Sequence, residues 1–248
     1  MNRYFLEVAY KGTIYAGSQV QANAVTVQFE LERALKIFFR TPITLTGSSR
    51  TDAGVHALQN YYHFDFERVI EYESIYNINA ILPADVVVKN IIPVKEAAHC
   101  RFDAVAREYE YSIYQQKNPF LDDRAYFFPY TLDKVKMQEA AKLVMNYTDF
   151  TSFSKRNSQV KTRQCTIMIS EWIERGDCFV YHVKGNRFLR GMVRGLTGTM
   201  LQVGRGKITV DDFAAIIAAS DVAKADFSVP GHGLFLTRVI YPEGYFII

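Results

Sequence analysis

The sequence has few cysteines and lacks the motifs that usually indicate a metal or nucleotide site. Its 248 residues include three cysteines, none in a Cys-x-x-Cys pair. An odd number of scattered cysteines argues against a disulfide framework and against a structural zinc site. His56, His99 and His182 show no metal-ligand spacing, and the chain contains no His-Glu-x-x-His, Walker loop or Gly-x-Gly-x-x-Gly. The sequence therefore contains none of the motifs that usually indicate a kinase, a dehydrogenase or a zinc hydrolase.

Long hydrophobic runs are also missing. No apolar stretch approaches the ~18 residues that a membrane-spanning helix needs. The N-terminus enters a strand-like pattern and has no signal-peptide layout. We therefore expect a cytoplasmic protein that makes no membrane contact. The hydrophobic fraction of 49% is typical of a globular chain and excludes general disorder.

Positive charge is concentrated in one stretch. Residues 155–207 contain eleven Lys and Arg residues against three acidic ones, a net charge of +8, whereas the whole chain carries +3. Such a block indicates a polyanionic partner. The alternative is a solvated face that acidic neighbours elsewhere in the fold neutralise, and charge alone does not choose between the two.

Hydrophobic periodicity predicts strands and helices in both halves of the chain. The predicted strands cover 4–10, 43–46, 61–66, 85–93, 108–114, 166–172, 179–184 and 234–241, and the predicted helices cover 27–38, 70–81, 132–145, 209–219 and a stretch from about 187. Strict β-α-β alternation is missing, so the expected class is α+β. We expect an N-terminal half over 1–103 and a C-terminal half over 104–248.

The loop over 47–57 holds Arg50, Asp52 and His56 between glycines. Loops on a rigid scaffold often carry catalytic residues, and a neighbouring arginine favours the ionised form of a carboxylate. Asp52 is therefore a candidate nucleophile or base. Asp-Ala-Gly is also ordinary turn chemistry, so a purely structural turn is the alternative.

The predicted helix from about residue 187 combines arginines with glycines. Its apolar residues fall on one face, and the opposite side carries Arg187, Arg190 and Arg194 with Gly191, Gly195 and Gly198 on or beside it. Each glycine costs a helix roughly 1 kcal/mol relative to alanine, so three of them indicate that something bulky approaches the backbone. A nucleic-acid strand fits, since arginine matches phosphate geometry. The alternative is tight packing of the helix against a sheet, with the arginines paired to acidic residues at the edge of the core.

Tyr109 and Tyr111 share one face of a predicted strand that follows Arg107. Aromatic side chains among basic ones can stack on nucleobases. Tyrosines on a strand face more often belong to the core, which is the alternative interpretation here.

Together these residues resemble the tRNA pseudouridine synthase A family. The most specific match is Arg50–Ala57, which has the family's sequence RTDAGVHA. Supporting matches run through most of the chain, at Thr26-Val27-Gln28, Asn79 with Leu82-Pro83 and Asp85, Arg101-Phe102 with Arg107-Glu108-Tyr109-Glu110-Tyr111, Asp149-Phe150 with Ser152-Phe153, Phe188-Leu189 with Met192-Val193-Arg194, and Gly233-Leu234 with Leu236. The chain departs from the family pattern at Ser18, where an aromatic residue is usual, at Ser49, where Gly is usual, and at Gln59-Asn60, where Gly-Gln is usual.

The resemblance implies a fold of two α+β halves whose mixed or antiparallel sheets join into one extended sheet, with helices on one side and a catalytic cleft between the halves. It implies isomerisation of uridine to pseudouridine in the anticodon stem-loop of tRNA, at positions thirty-eight to forty. It also implies a homodimer in which one tRNA touches both subunits, and neither a cofactor nor a metal.

Site roles follow from the same resemblance. Asp52 is the essential carboxylate, and it attacks C1′, attacks C6 or takes a ribose proton. Tyr109 packs on the uracil ring, with or without a part in removing the C5 proton, and Arg194 pairs with Asp52. Arg50 places the loop or contacts the flipped nucleotide, and His56 contacts the substrate. Arg187 and Arg190 bind the RNA backbone.

Two other functions fit parts of the pattern. A tRNA-binding module or chaperone would use the same basic region without chemistry, but the intact set of Arg50, Asp52, Tyr109 and Arg194 argues against it. A glycosidase acting on a small sugar usually needs two acids at a set spacing, and the RTDAGVHA segment has only one. Tritium release from C5-labelled tRNA tests the first alternative, and release of free base or sugar tests the second.

Overall fold

The structure is a computed structural model that describes residues 1–155 and 161–246. Arg156, part of the basic stretch, lies outside the described residues. The chain divides into two units, the first formed by Met1–Val105 with Leu236–Ile248 and the second by Ala106–Phe235. Within the described ranges, no helix combines the length and the apolar character needed to span a membrane.

The first unit contains an antiparallel sheet and two helices. Its elements are β1 (Asn2–Tyr10), α1 (Val27–Phe39), β2 (Thr46–Gly47), β3 (His56–Phe66), α2 (Ser74–Ile81) and β4 (Val86–Val94). β1 pairs with β3 on one side and β4 on the other, and β2 pairs with β3. Consecutive residues from Tyr4 to Val8 are buried, so both faces of β1 are covered, which explains its almost continuous apolar run.

Helix α1 begins where its capping residue predicts. The Thr26 hydroxyl accepts a hydrogen bond from the Phe29 N–H at 3.3 Å, which satisfies one of the free amides of the first turn. The helix buries Val27, Leu31 and Leu35 at helical spacing. The predicted cap and apolar face are therefore confirmed.

The second unit contains a mixed sheet and three helices. Its elements are β5 (Ala106–Tyr114), β6 (Tyr126–Phe127), α3 (Lys134–Leu143), β7 (Ile167–Arg175), β8 (Cys178–Gly185), α4 (Met192–Gly204) and α5 (Val210–Ala218), and β9 (Leu234–Ile240) then leads into the first unit. β8 pairs antiparallel with β5 and β7, whereas β6 is parallel to β5. The predicted α+β class is confirmed, and the β7–β8 hairpin lies where expected.

The C-terminal segment belongs with the first unit, whereas the expected C-terminal half was 104–248. The Val239 N–H donates to Gln59 Oε1 at 3.1 Å, and the Tyr241 hydroxyl donates to the Cys100 carbonyl at 2.5 Å. The Tyr241 ring also packs against Phe5 in β1, with 5.6 Å between centroids. These contacts link positions far apart in sequence, which local patterns do not reveal.

Several predicted elements are shorter than expected; the helix predicted over 70–81, for example, covers Ser74–Ile81. The alternating stretch 43–46 forms a strand only over Thr46–Gly47, in β2. The helix expected from about Arg187 begins at Met192 instead, because Gly191 adopts a left-handed conformation with φ +76°. Arg187 and Arg190 precede that glycine and are not helical. The predicted helical face that combined them with Arg194 is therefore wrong.

Candidate functional site

Asp52 lies in a tight turn that leads into β3. The Val55 N–H donates to the Asp52 carbonyl at 3.2 Å, and Gly54 at the third position of the turn has φ +76°. A type II turn requires this conformation at its third position, and glycine adopts it without a steric penalty. Thr51 is buried and Asp52 is half-buried. The turn thus gives Asp-Ala-Gly a structural role and also keeps the Asp52 carboxylate partly open to solvent.

Two glycines let a neighbouring loop lie directly against this turn. A Cβ added at Gly12 would lie 2.0 Å from the Val55 carbonyl oxygen, and one added at Gly17 would lie 2.8 Å from the Thr51 carbonyl oxygen. The Gly54 N–H also donates to the Tyr15 carbonyl at 3.3 Å. The backbone over 12–17 therefore supports the turn at a distance that a larger residue would prevent.

Buried polar side chains support the segment before Asp52. The Asn60 amide donates to the Ser49 carbonyl at 3.1 Å and to the Tyr10 hydroxyl at 3.3 Å. The Tyr10 hydroxyl lies 2.9 Å from Thr51 Oγ1, and burial raises the pKa of Tyr10, which therefore stays neutral. Sequence reasoning did not assign Tyr10 and Asn60 a role at the site. The one feature of the sequence that could have indicated them is a polar group at an inward-facing position of a strand.

His56 and Arg50 occupy different environments on the two sides of the turn. His56 is buried at the start of β3, and its Nδ1 accepts a hydrogen bond from the Gly12 N–H at 3.0 Å. This bond fixes the glycine loop against β3. Arg50 is exposed. The contacts of both residues with a substrate stay predictions.

In the second unit, Tyr109 lies at the margin of a buried strand face. It is 9% exposed, is paired with Val183 of β8 in register, and packs edge-on against Phe188 with 5.0 Å between ring centroids. Tyr111 is fully buried on the same face, and its hydroxyl donates to the Pro230 carbonyl at 2.8 Å. Tyr111 is therefore a core residue, as the alternative interpretation held, and Tyr109 is buried apart from the 9% that remains exposed.

Arg194 lies in the first turn of α4, where main-chain carbonyls hold its guanidinium. Its Nε donates to the Val229 carbonyl at 2.9 Å and its Nη2 to the Phe227 carbonyl at 3.4 Å. A guanidinium anchored at two of its nitrogens has a fixed orientation. The segment from Phe227 to Pro230 thus links the Arg194 side chain to the Tyr111 hydroxyl.

The same segment explains the glycines of α4. A Cβ at Gly198 would lie 2.3 Å from the Asp226 carbonyl oxygen, and one at Gly195 would lie 2.8 Å from the Phe227 ring. The bulky group that approaches this helix face is the protein's own chain. The interpretation of the glycines as a nucleic-acid contact is therefore wrong. Packing within the protein accounts for them, but Gly195 and Gly198 meet the segment over 226–227 and not a sheet as the alternative held.

We expect Gly198→Ala to lower the melting temperature of the protein. Alanine has the higher helix propensity, by roughly 1 kcal/mol, but its Cβ would overlap a backbone oxygen that cannot rotate away. Overpacking of this kind typically costs about 1–3 kcal/mol. Thermal unfolding followed by circular dichroism measures the balance. A raised melting temperature would show that the Asp226 backbone is not packed on the helix.

Two comparisons with known proteins bear on the identity of the chain. A family model described as tRNA pseudouridine synthase matches residues 140–242. The chain is 46% identical over 249 residues to a tRNA pseudouridine synthase A of Parabacteroides distasonis, covering 99% of this chain and 98% of the relative. The chain belongs to the tRNA pseudouridine synthase A family. A Bacteroides thetaiotaomicron relative of the same name is 44% identical, with 99% and 93% covered, and a Staphylococcus aureus relative is 36% identical, with 97% and 91% covered.

Membership of this family makes the protein an isomerase that acts on uridine in tRNA. The positions at which the chain departs from the family pattern then become informative. Ser18, Ser49 and Asn60 are all buried, and all three take part in the hydrogen bonds around the Asp52 turn. Three of the four departing residues therefore belong to the support of the turn, whereas the Gln59 side chain bonds to Glu7, Tyr61 and Val239.

Several cations of the basic stretch are paired within the second unit. Arg175 binds Glu110 through two hydrogen bonds of 2.6 and 3.0 Å. Lys184 lies 3.6 Å from Glu108, and the Arg205 guanidinium lies over the Tyr130 ring at 3.9 Å. The neutralising alternative thus holds for part of the stretch. Arg187 is half-buried and Arg190 is exposed, and both precede α4.

One cluster in the described ranges has residue types that could bind a metal ion. The ligand atoms of His63, His99 and Cys100 lie within 4.8 Å of one another. Hydrogen bonds account for the cluster, because the Cys100 thiol donates to the Thr46 carbonyl at 3.1 Å and His99 Nδ1 accepts from two backbone amides. A neutral His99 that accepts at Nδ1 carries its proton on Nε2 and cannot offer that nitrogen to a metal. Burial lowers the pKa of His63 to about 4, so His63 is neutral at pH 7.

Proposed function

We propose that this chain isomerises uridine to pseudouridine in the anticodon stem-loop of tRNA, at positions thirty-eight to forty, with Asp52 as the essential carboxylate. The observation that supports this most directly is the Asp52 turn, in which an acid within the RTDAGVHA segment is presented half-buried from a backbone held on both sides. Reaction rates depend steeply on the placement of a catalytic group, so a firmly supported turn suits this role.

The chemistry needs only acid–base or nucleophilic groups. The N1–C1′ bond breaks, the uracil turns, and C5 bonds to C1′; the proton on C5 is lost and N1 gains a proton. No electrons are transferred and the atoms balance. Asp52 attacks C1′, attacks C6 or removes a ribose proton, and in all three cases the ionised carboxylate is the reacting form.

Other residues of the proposed site position the base. The target uridine must leave its stack to reach a carboxylate, and the Tyr109 ring is proposed to pack on the uracil. Arg50 and His56 are proposed to contact the substrate around the turn. The pairing of Arg194 with Asp52 that the resemblance implies stays a prediction, and the carbonyls that orient the Arg194 guanidinium support a positioning role.

The proposal is tested with an unmodified tRNA transcript that carries tritium at C5 of its uridines. Incubation with the protein should release tritium only from uridines within the proposed window, and mapping should find pseudouridine at those positions. A transcript with cytidine at all three positions is the control and should release none. Release from that control, or free uracil as the product, would contradict the proposed reaction.

We also propose that Arg187 and Arg190 bind the RNA backbone. Both precede α4, and Arg187 is half-buried whereas Arg190 is exposed. A guanidinium binds phosphate through paired hydrogen bonds. Because neutralised phosphates release counterions, the logarithm of the association constant should fall linearly with the logarithm of the salt concentration.

Neutralising either arginine should make tRNA binding less salt-dependent. We expect Arg187→Gln or Arg190→Gln to weaken binding and to reduce the salt slope by about one per residue, and charge reversal should weaken binding further. Filter binding over a salt series measures both effects. Arg175→Gln is the control, because its charge already pairs with Glu110. An unchanged slope in both test variants would exclude these arginines as phosphate contacts.

The assembly and location of the protein are proposed from the family resemblance. We propose a homodimer in which one tRNA touches both copies, and a cytoplasmic location, where tRNA is modified. Light scattering of the free protein and of its tRNA complex tests the stoichiometry. A complex of one chain with one tRNA would contradict the dimer without affecting the proposed reaction.

A further inference from the structure

The residue that precedes Asp52 is held at three of its polar groups. The Thr51 N–H donates to Ser18 Oγ at 2.8 Å, its carbonyl accepts from the Ser18 N–H at 3.1 Å, and its Oγ1 lies 2.9 Å from the Tyr10 hydroxyl. The carbonyl belongs to the peptide that joins Thr51 to Asp52. Ser18 therefore binds both peptide groups of Thr51, and the orientation of the second peptide helps to set where the Asp52 side chain points.

Ser18 is itself built into the first unit. Its side chain is buried, with the residue 2% exposed, and its hydroxyl lies 3.5 Å from the Ser49 carbonyl. Its own carbonyl accepts from the Gln28 N–H at 3.0 Å and from the Tyr62 hydroxyl at 3.4 Å. Helix α1 and strand β3 thus fix Ser18, and Ser18 transmits this rigidity to the turn.

The chain departs from the family pattern at position 18, where an aromatic residue is usual. An aromatic ring cannot accept the Thr51 N–H in the way that Ser18 Oγ does. Removing the hydroxyl would leave a buried amide without this acceptor, and a buried unsatisfied amide drives local rearrangement. The rearrangement would fall on the residue next to Asp52.

We propose that Ser18 is a positioning residue for the reaction, acting through the Thr51 peptides on the orientation of the Asp52 carboxylate. The proposal rests on the proposed catalytic role of Asp52. It places the effect of Ser18 in the rate of the chemical step, because the side chain is buried and has no surface to offer to the RNA.

The main test is Ser18→Ala in the full-length protein, with the tritium-labelled tRNA transcript as the probe. At saturating enzyme, the single-turnover rate should fall by about 10–100-fold, since small displacements of a catalytic group cost this much. The affinity for the transcript, measured by filter binding, should stay unchanged. A lower affinity with a normal rate would overturn the proposal.

Ser152→Ala is a matched control for loss of stability. Ser152 is also fully buried, accepts a backbone amide at 2.9 Å from Asp221 and donates to the Ile216 carbonyl at 2.6 Å, all within the second unit. Both variants should lower the melting temperature, but only Ser18→Ala should slow turnover at a temperature where both are folded. Equal single-turnover rates in Ser18→Ala and Ser152→Ala would show that Ser18 has a structural role only.

Ser18→Cys decides the question if the alanine variant does not fold. Cysteine nearly preserves the side-chain volume, but its sulfur is a weak acceptor, so the rate should again fall with affinity unchanged. A normal rate in Ser18→Cys would then refute the positioning role. Asp52→Asn separates the two hypotheses. If that variant retains turnover, the proposed catalytic role of Asp52 fails and the positioning proposal fails with it. If it is inactive while Ser18 variants are normal, only the positioning proposal fails.

Discussion

Asp52→Asn and Asp52→Ala are expected to abolish pseudouridine formation and to leave tRNA affinity within a few-fold of the original. Asparagine has nearly the same shape but is neither a nucleophile nor a base at neutral pH. Loss of a principal catalytic group typically lowers turnover by about 10⁴-fold or more. The turn should persist, because the bond that closes it uses the Asp52 carbonyl and not the side chain.

The measurement combines single-turnover tritium release with filter binding of the same transcript. Asp65→Asn is a suitable control, because Asp65 is also an acid of the first unit but pairs with Arg3 through bonds of 2.7 and 2.8 Å. That variant should turn over normally. Full pseudouridine formation by either Asp52 variant would refute the assignment of the essential carboxylate, whatever the behaviour of the control.

Elements set by local chemistry could be predicted from the sequence. The Thr26 cap and the apolar spacing of α1 involve residues within a few positions of one another, and both are found in the structure. The alternation in β5 correctly placed Tyr109 and Tyr111 on one face. In these cases the side-chain periodicity and the buried face are decided within the segment itself.

Features that depend on distant neighbours could not be predicted in the same way. The glycines of α4 were noted, but only the fold shows that Asp226 and Phe227 lie against them. The Gly191 conformation that delays the start of α4 also depends on its surroundings, since Lys155 and Phe227 lie close to it. A glycine in a sequence indicates close approach or an unusual conformation, and it does not say what approaches.

The candidate site also contains one part that local sequence predicts and another that depends on distant residues. Asp52 was identified from a specific motif. The residues that support its turn, Gly12, Ser18 and Asn60, lie outside that motif. Nothing about these residue types alone indicates a role, which becomes evident only from their contacts in the fold. A Cβ added at Gly12 would lie 2.0 Å from a carbonyl oxygen, the Ser18 hydroxyl lies 2.8 Å from the Thr51 amide, and the Asn60 amide lies 3.1 Å from the Ser49 carbonyl. The proposed catalytic residue could thus be named from the sequence, whereas the residues that hold its turn in place could not.

Replacing Tyr109 should separate stacking from proton transfer. Tyr109→Phe keeps the ring and its edge-on contact with Phe188, so the fold and the stacking contribution of roughly 1–3 kcal/mol should be retained. If the phenol acts as a general acid or base, turnover should nevertheless fall by about 10²–10⁴-fold. Tyr109→Leu removes both the ring and the hydroxyl and should lose base binding as well as turnover.

The neighbouring tyrosine provides the control for this series. The Tyr111 hydroxyl donates to the Pro230 carbonyl in a fully buried position, so Tyr111→Phe should lower stability and leave the chemical step unchanged. Single-turnover rates and melting temperatures distinguish these outcomes. Normal turnover in Tyr109→Phe would restrict Tyr109 to stacking. Normal turnover in Tyr109→Leu would show that Tyr109 is not part of the active site, because this variant lacks both the ring and the hydroxyl.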